Sequence, residues 1–152
     1  MFTYDTDFYA WTQQQAQALA AGDLDGMDLV NLAEEIESLG KRDWRELSSR
    51  LGILVMHLLK WQYQPEMRES GNSWRRTIRT QRRDMGKLLE QSPSLRRQVA
   101  PLIEADYPGV REDASDETRL PLSTFPEACP WTEAQVLDMD FWPERRSGAE
   151  LV

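Results

Sequence analysis

Residues 47–64, LSSRLGILVMHLLKWQYQ, form the most apolar stretch of this 152-residue chain. With the 3.6-residue period of the α-helix, the stretch is predicted to form a helix whose apolar face is centred on Leu54. The residues within about 60° of that centre are Leu47, Leu51, Leu58 and Trp61. Other apolar side chains cover much of the remaining surface, which is typical of the buried centre of a helical bundle.

Two helices are predicted before this stretch. Residues 5–20, DTDFYAWTQQQAQALA, start with residues that can cap a helix and are followed by Gly22, a common helix terminator. Residues 28–39, DLVNLAEEIESL, carry an apolar face centred on Ile36, which we expect to pack into the core. The other members of that face are Leu29, Leu32, Ala33 and Leu39.

The next two helices are separated by a polar loop over residues 66–73. Gly40 is predicted to end or bend the second helix, so that the third helix runs over about 43–64 and stops before a proline. The fourth helix is predicted over about 74–91, capped by Asn72 or Ser73. Its predicted core face consists of Trp74, Ile78, Met85 and Leu89.

The C-terminal third is predicted to be less regular. Residues 93–106 form a shorter helix that Pro101 kinks or divides. Residues 107–130 contain four prolines among many acids and are predicted to form an irregular wrap. Residues 131–143 are predicted to form a short anchor helix, and the chain beyond it is expected to fray. The aromatic residues expected to pack back on the core are Trp131, Phe141 and Trp142.

These elements predict one all-α domain over residues 1–152, with its core in about residues 4–106. The predicted architecture is an up-and-down antiparallel bundle of about four main helices, with a short C-terminal helix and arm. Strand-like alternation does not persist anywhere in the sequence, and the sequence contains no internal repeat.

The charge of the chain is unevenly distributed. The net charge is −8, whereas residues 68–97 contain nine basic and three acidic residues. This basic segment either binds a polyanion or docks against the acidic segments, and we favour docking because all of them share one small domain. The single cysteine, Cys129, fits a reducing compartment. Without an apolar signal region or a membrane-length apolar run, we expect a soluble cytoplasmic protein and no membrane partner.

A carboxylate–histidine metal site is the sharpest catalytic hypothesis, formed by Glu35 or Glu37 and the only histidine, His57. The Glu-x-x-His motif of di-iron bundles is absent, because Leu54 stands three residues before His57. A single histidine is also few for a transition-metal site. We therefore favour a hydrogen-bonded structural histidine and predict no metal, no cofactor and no catalytic residue.

Arginines follow the edge of the core face on the fourth helix. Arg75, Arg79 and Arg82 recur at helical spacing. One interpretation is that they pair with Glu35 or Glu37 across a helix boundary. The alternative is a binding face for phosphate or RNA. The rings of Trp61 and Trp74 then form the stacking surface for bases.

Several motifs resemble a bacterial family known as domain of unknown function 29. They cover about residues 4–145. In order they read YDTDFYAWTQQQAQAL, GDLDGMDLVNLAEEIESLGK, LVMHLLKWQYQPE, SWRRTIRTQRR, LLEQSPSLR and CPWTEAQVLDMDFWPE. The resemblance implies a small all-helical bundle. It implies no activity and offers no catalytic residues to transfer to this chain.

Three function hypotheses follow. The leading one is a non-enzymatic interaction or structural protein that self-associates or binds another protein, because the central helix and six Trp supply more apolar surface than a small bundle covers. The second is nucleic-acid or phosphate-ligand binding by the arginines of the fourth helix. The third, a metal-dependent enzyme using Glu and His57, is the least favoured.

Overall fold

A computed structural model of the chain describes residues 2–69 and 73–144. Within those residues it contains the α-helices α1 (Phe8–Ala21), α2 (Leu29–Tyr63), α3 (Trp74–Gln91), α4 (Val99–Thr118) and α5 (Glu133–Leu137). No strand occurs in the described ranges, and the predicted all-α class is confirmed. None of the helices in these ranges has the length and apolarity to span a bilayer. The chain divides into two compact units between Asp43 and Trp44, a point within α2.

The first unit is a helical hairpin. The side chain of Asp7 accepts a hydrogen bond from the Ala10 amide and caps α1, and Gly22 ends it in the left-handed conformation at φ 68°. The Trp11 indole then donates to the Asp28 carboxylate at 3.0 Å. Since Tyr4, before α1, also reaches Glu35 in α2, the two helical segments run antiparallel.

The predicted break at Gly40 is wrong, because α2 continues through it without interruption. A glycine inside a helix costs only about 1 kcal/mol relative to alanine, and no proline accompanies it here. The predicted burial of the apolar face around Ile36 is also wrong. Leu29, Ile36 and Leu39 are 62%, 66% and 51% exposed.

The second unit has the larger core, built on the stretch that was predicted to be central. Leu47, Leu54 and Leu58 are fully buried in α2. Near the end of α2, Lys60 lies over the ring of Trp74 at the start of α3. Earlier in α2, Arg50 pairs with Asp84, which lies later in α3. The two helices therefore run antiparallel. The Ser48 hydroxyl donates to Asp106 at 2.7 Å, and Lys60 pairs with Glu117 at 2.7 Å. Because residue numbers rise together in these two contacts, α4 runs parallel to α2. Helices α2, α3 and α4 therefore run up, down and up.

Helix α3 matches its prediction closely. It spans Trp74–Gln91 and follows Ser73, while the alternative cap, Asn72, lies outside the described residues. Its predicted core residues Trp74, Ile78 and Met85 are buried, and Leu89 packs partly against the core. Arg82 is also buried on this face, at 3% exposure.

The predicted irregular wrap over 107–130 is helical as far as Thr118, because α4 continues through Pro108. Residues Pro93–Gln98 form a 3-10 turn, and α4 starts only at Val99. Pro101 lies in the first turn, where a backbone N–H has no intrahelical acceptor, so it causes no kink. Pro108 loses one helical hydrogen bond, but buried side chains on both sides of it hold the helix against the core. They are Ile103, Tyr107, Val110 and Ala114.

The predicted C-terminal anchor is present. Thr132 and Gln135 form a capping box at the start of α5. Trp131 and Trp142 pack partly buried against the core, and Phe141 is half-buried. The predicted fraying of the chain end concerns residues beyond 144, which are outside the described ranges.

Candidate functional site

Helix α3 separates its arginines into one buried residue and four exposed ones. Arg82 is 3% exposed, since it lies on the same face as Ile78 and Met85. Arg75, Arg76, Arg79 and Arg83 are exposed. Residues three or four positions apart share a helix face, so these four side chains lie close together over two turns.

Arg82 binds backbone carbonyls of the C-terminal arm. Its Nε donates to the Val136 carbonyl at 2.8 Å, and its two Nη atoms donate to the Phe141 and Gln135 carbonyls at 2.7 Å and 3.2 Å. Burial lowers the pKa of the guanidinium, and the charge of Asp138 partly opposes that shift. Arg82 is therefore a structural anchor in the described structure.

Trp61 and Trp142 form a tilted aromatic pair with arginines against it. The ring centroids are 4.7 Å apart, and the Arg75 guanidinium lies 5.5 Å from both centroids. The Arg68 guanidinium lies 4.4 Å from the Trp61 centroid. These distances are within the range of cation–π attraction.

The predicted aromatic surface is not exposed. Trp61 and Trp74 are only 6% and 8% exposed, because both belong to the core of the second unit. Neither ring presents a free face on which a nucleobase could stack. The aromatic residues position arginines instead.

The exposed arginines line a cavity of about 710 Å³ at the start of α3, which we call the arginine cavity. Its lining consists of Glu69, Ser73, Arg75, Arg76, Arg79, Thr80 and Arg83. Within the described part of the second unit, no carboxylate forms an ion pair with Arg75, Arg76 or Arg79. Arg83 makes a long ion-pair contact with Asp84 at 4.0 Å and a long hydrogen bond to the Thr80 hydroxyl at 3.5 Å. Among its described residues, the lining of the cavity thus contains four arginines and one acid, Glu69.

Arg76 and Arg83 line the arginine cavity, although neither belonged to the predicted arginine face. Their place in the cavity follows from a signal that was available in the sequence, the four-residue spacing of Arg75, Arg79 and Arg83. Arg76 follows Arg75 in the first turn of α3 and lines the same cavity.

His57 is held by its own helix. Its Nδ1 lies 2.8 Å from the Ile53 carbonyl oxygen, one turn earlier in α2. Burial lowers the pKa of the half-buried ring, and the nearby Lys60 adds to that effect. Among residues 2–69 and 73–144, no three or more His, Cys, Asp or Glu residues come together in a way that could hold a metal ion.

Glu35 and Glu37 belong to the first unit and have partners within it. The Tyr4 hydroxyl donates to the Glu35 carboxylate, and this bond raises the pKa of Tyr4 to about 12. Glu37 forms an exposed i,i+4 pair with Lys41 at 3.4 Å. The pairing of either glutamate with the arginines of α3 stays a prediction.

Fold and site together define an all-α protein whose second unit presents an arginine-lined cavity. The chain matches the family model described as "Domain of unknown function DUF29" over residues 3–142, and it belongs to this family. The matched range includes all five helices, every described residue that lines the arginine cavity, and the aromatic arm up to Trp142. No curated protein and no solved structure matches the chain.

Proposed function

We propose that this protein is a non-enzymatic interaction protein that self-associates through an apolar seam on α2. The seam consists of Leu29, Leu32, Ile36 and Leu39, and its spacing of three, four and three residues is that of coiled-coil core positions. The observation that carries the proposal is its exposure. Ile36, at the centre of the seam, is 66% exposed.

The seam belongs to a wider apolar surface. Of the thirteen large apolar side chains that are exposed in the described ranges, nine lie in the first unit: Phe2, Phe8, Tyr9, Leu19, Leu24, Leu29, Val30, Ile36 and Leu39. Val30 lies on the side of α2 away from the seam. The other eight, at roughly 100 Å² each, reach the area of about 800 Å² that each partner buries in a stable complex. Exposed apolar area of this extent usually marks an interface.

The charges beside the seam favour a second copy in antiparallel orientation. Asp23 and Asp25 precede the seam, and Lys41 and Arg42 follow it. An antiparallel pair places the basic end of each seam opposite the acidic end of the other. The same patch then serves both copies, which is the arrangement of a closed two-fold dimer.

The test is the mass of the full chain in solution, measured by sedimentation equilibrium over a range of concentrations. We expect a dimer, and we expect Ile36→Glu with Leu39→Glu to weaken dimerisation by about 100-fold or more, because each dimer then buries four charges at the seam. Val30→Glu is the matched control. Val30 is 80% exposed on the side of α2 away from the seam, so this variant should still dimerise.

Charge reversal tests the orientation. Lys41→Glu with Arg42→Glu should weaken dimerisation, and adding Asp23→Lys with Asp25→Lys should restore it. A chain that stays monomeric at every concentration contradicts the proposal, and so does equal weakening by the Val30 and seam variants.

A further inference from the structure

Self-association through the first unit leaves the exposed arginines of α3 without a role. We propose that the arginine cavity binds a compact oligophosphate, a small molecule with two or more linked phosphate groups. The site uses different residues from the seam, so either proposal can fail alone.

The charge of the cavity is the first reason. Arg75, Arg76, Arg79 and Arg83 bring four guanidinium groups into two turns of helix, and Glu69 is the only acid among the described residues of the lining. Like charges this close repel one another. A bound anion with several negative oxygens relieves that repulsion, and the guanidinium group matches a phosphate bidentately.

The start of α3 adds hydrogen-bond donors. Ser73 precedes the first turn, and its hydroxyl makes no capping hydrogen bond, although it lines the cavity. Backbone N–H groups in the first turn of a helix have no intrahelical acceptor and carry a partial positive charge. An 18-residue helix that starts beside four arginines therefore strengthens anion binding at that end.

One of the arginines is already positioned. The Arg75 guanidinium rests 5.5 Å from the centroids of both Trp61 and Trp142, and these rings are themselves packed against the core. A side chain that is held in place loses less conformational entropy when it binds a ligand. Arg75 thus provides a fixed point, while Arg76 and Arg79 remain free to adjust to the anion.

The same structure argues against a long nucleic acid. Trp61 and Trp74 are buried in the core and offer no stacking surface to bases. The chain as a whole carries a net charge of −8, which repels an extended polyanion beyond the cavity. A cavity of about 710 Å³ instead accommodates a ligand the size of a di- or triphosphate.

The experiment is isothermal titration calorimetry of the full chain with sodium tripolyphosphate, inorganic phosphate and a single-stranded oligonucleotide. We expect one tripolyphosphate per chain, weaker binding of inorganic phosphate, and weaker binding at higher salt. Arg76→Gln with Arg79→Gln should reduce tripolyphosphate affinity by about 30-fold or more, given two lost charge-assisted contacts.

Arg96→Gln with Arg97→Gln is the control, because both residues are exposed, lie outside the cavity and remove the same charge. This variant should bind nearly as well as the wild type, and circular dichroism should show that both variants are folded. Equal losses in the two variants would mean binding to net charge only and would overturn the proposal. So would no tripolyphosphate binding at low salt, or tighter binding of the oligonucleotide, which indicates a nucleic-acid interface instead.

Discussion

At the residue scale, Arg82 joins the C-terminal arm to α3. One guanidinium group donates to three carbonyls that lie 53, 54 and 59 residues further along the chain. Hydrogen bonds from a charged group contribute about 1.5–3 kcal/mol each, although the cost of burying the charge offsets part of this. Removing the guanidinium also leaves the carbonyls without their donors.

We expect Arg82→Met to lower the free energy of unfolding by about 3 kcal/mol, since it removes all three hydrogen bonds. Arg82→Lys should not restore it, because one ammonium group cannot reach three separate carbonyls in the geometry of a planar guanidinium. Urea denaturation measures both changes.

The neighbouring exposed residue supplies the control for this experiment. Arg83→Gln should change stability by less than about 0.5 kcal/mol. If Arg82→Met and Arg83→Gln have the same effect, the anchoring role of Arg82 is wrong.

His57 and Arg82 show what could be predicted for single residues. The hydrogen bond of His57 joins positions i and i−4 of one helix, so local geometry makes it readable from the sequence. The partners of Arg82 lie on a different segment, and only the path of the arm brings them to it. Helical spacing placed Arg82 beside the core but could not show what it binds.

At the element scale, α2 is one helix where two were predicted. Apart from the backbone of its own helix, an alanine side chain at Gly40 would meet no atom of the described residues within 4 Å, and Gly40 has no positive φ. We expect Gly40→Ala to stabilise the protein by about 0.5–1 kcal/mol, because alanine loses less backbone entropy in a helix than glycine does. Thermal unfolding followed by circular dichroism at one fixed concentration measures this.

Gly22 is the opposite case and provides the comparison. Its φ of 68° ends α1 in a conformation that alanine adopts only with strain. Gly22→Ala should therefore destabilise the protein by about 1 kcal/mol. Destabilisation by Gly40→Ala as well would indicate that Gly40 is a bend and not a helical residue.

The C-terminal extent of α4 was underestimated, because local helix preference was again taken as decisive. Proline lowers the local preference for helix, and the sequence between residues 101 and 118 contains Pro101 and Pro108. Burial of Tyr107, Val110 and Ala114 against the core of the second unit outweighs that local cost. Such burial depends on tertiary neighbours, which a reading of local residues does not supply.

At the scale of the whole molecule, the two units differ in how much apolar surface they bury. In the described part of the first unit only Trp11 and Ala18 are buried apolar residues, whereas the second unit holds the entire large core. Local stability follows the density of buried apolar contacts. The two halves of α2 should therefore differ in stability although they are parts of one helix.

Hydrogen exchange measured by mass spectrometry tests this difference. At a concentration at which the chain is monomeric, backbone amides of residues 47–61 should exchange at least about 100-fold more slowly than those of residues 30–39. Raising the concentration should slow exchange in 30–39, because dimerisation covers the seam. Equal protection of both segments in the monomer would contradict the assignment of the core to the second unit.

The sequence by itself determined the all-α class, the end of α1 at Gly22, the limits of α3, the central position of residues 47–61 and the aromatic anchor at the C-terminus. These features depend on periodicity, caps and turn residues, which act over a few neighbouring positions. Only the tertiary structure decided that α2 passes through Gly40, that α4 passes through Pro108, that Arg82 binds the arm and that Ile36 is exposed. Each of these outcomes depends on which distant side chains or backbone groups come into contact, and helical spacing within one segment carries no information about them.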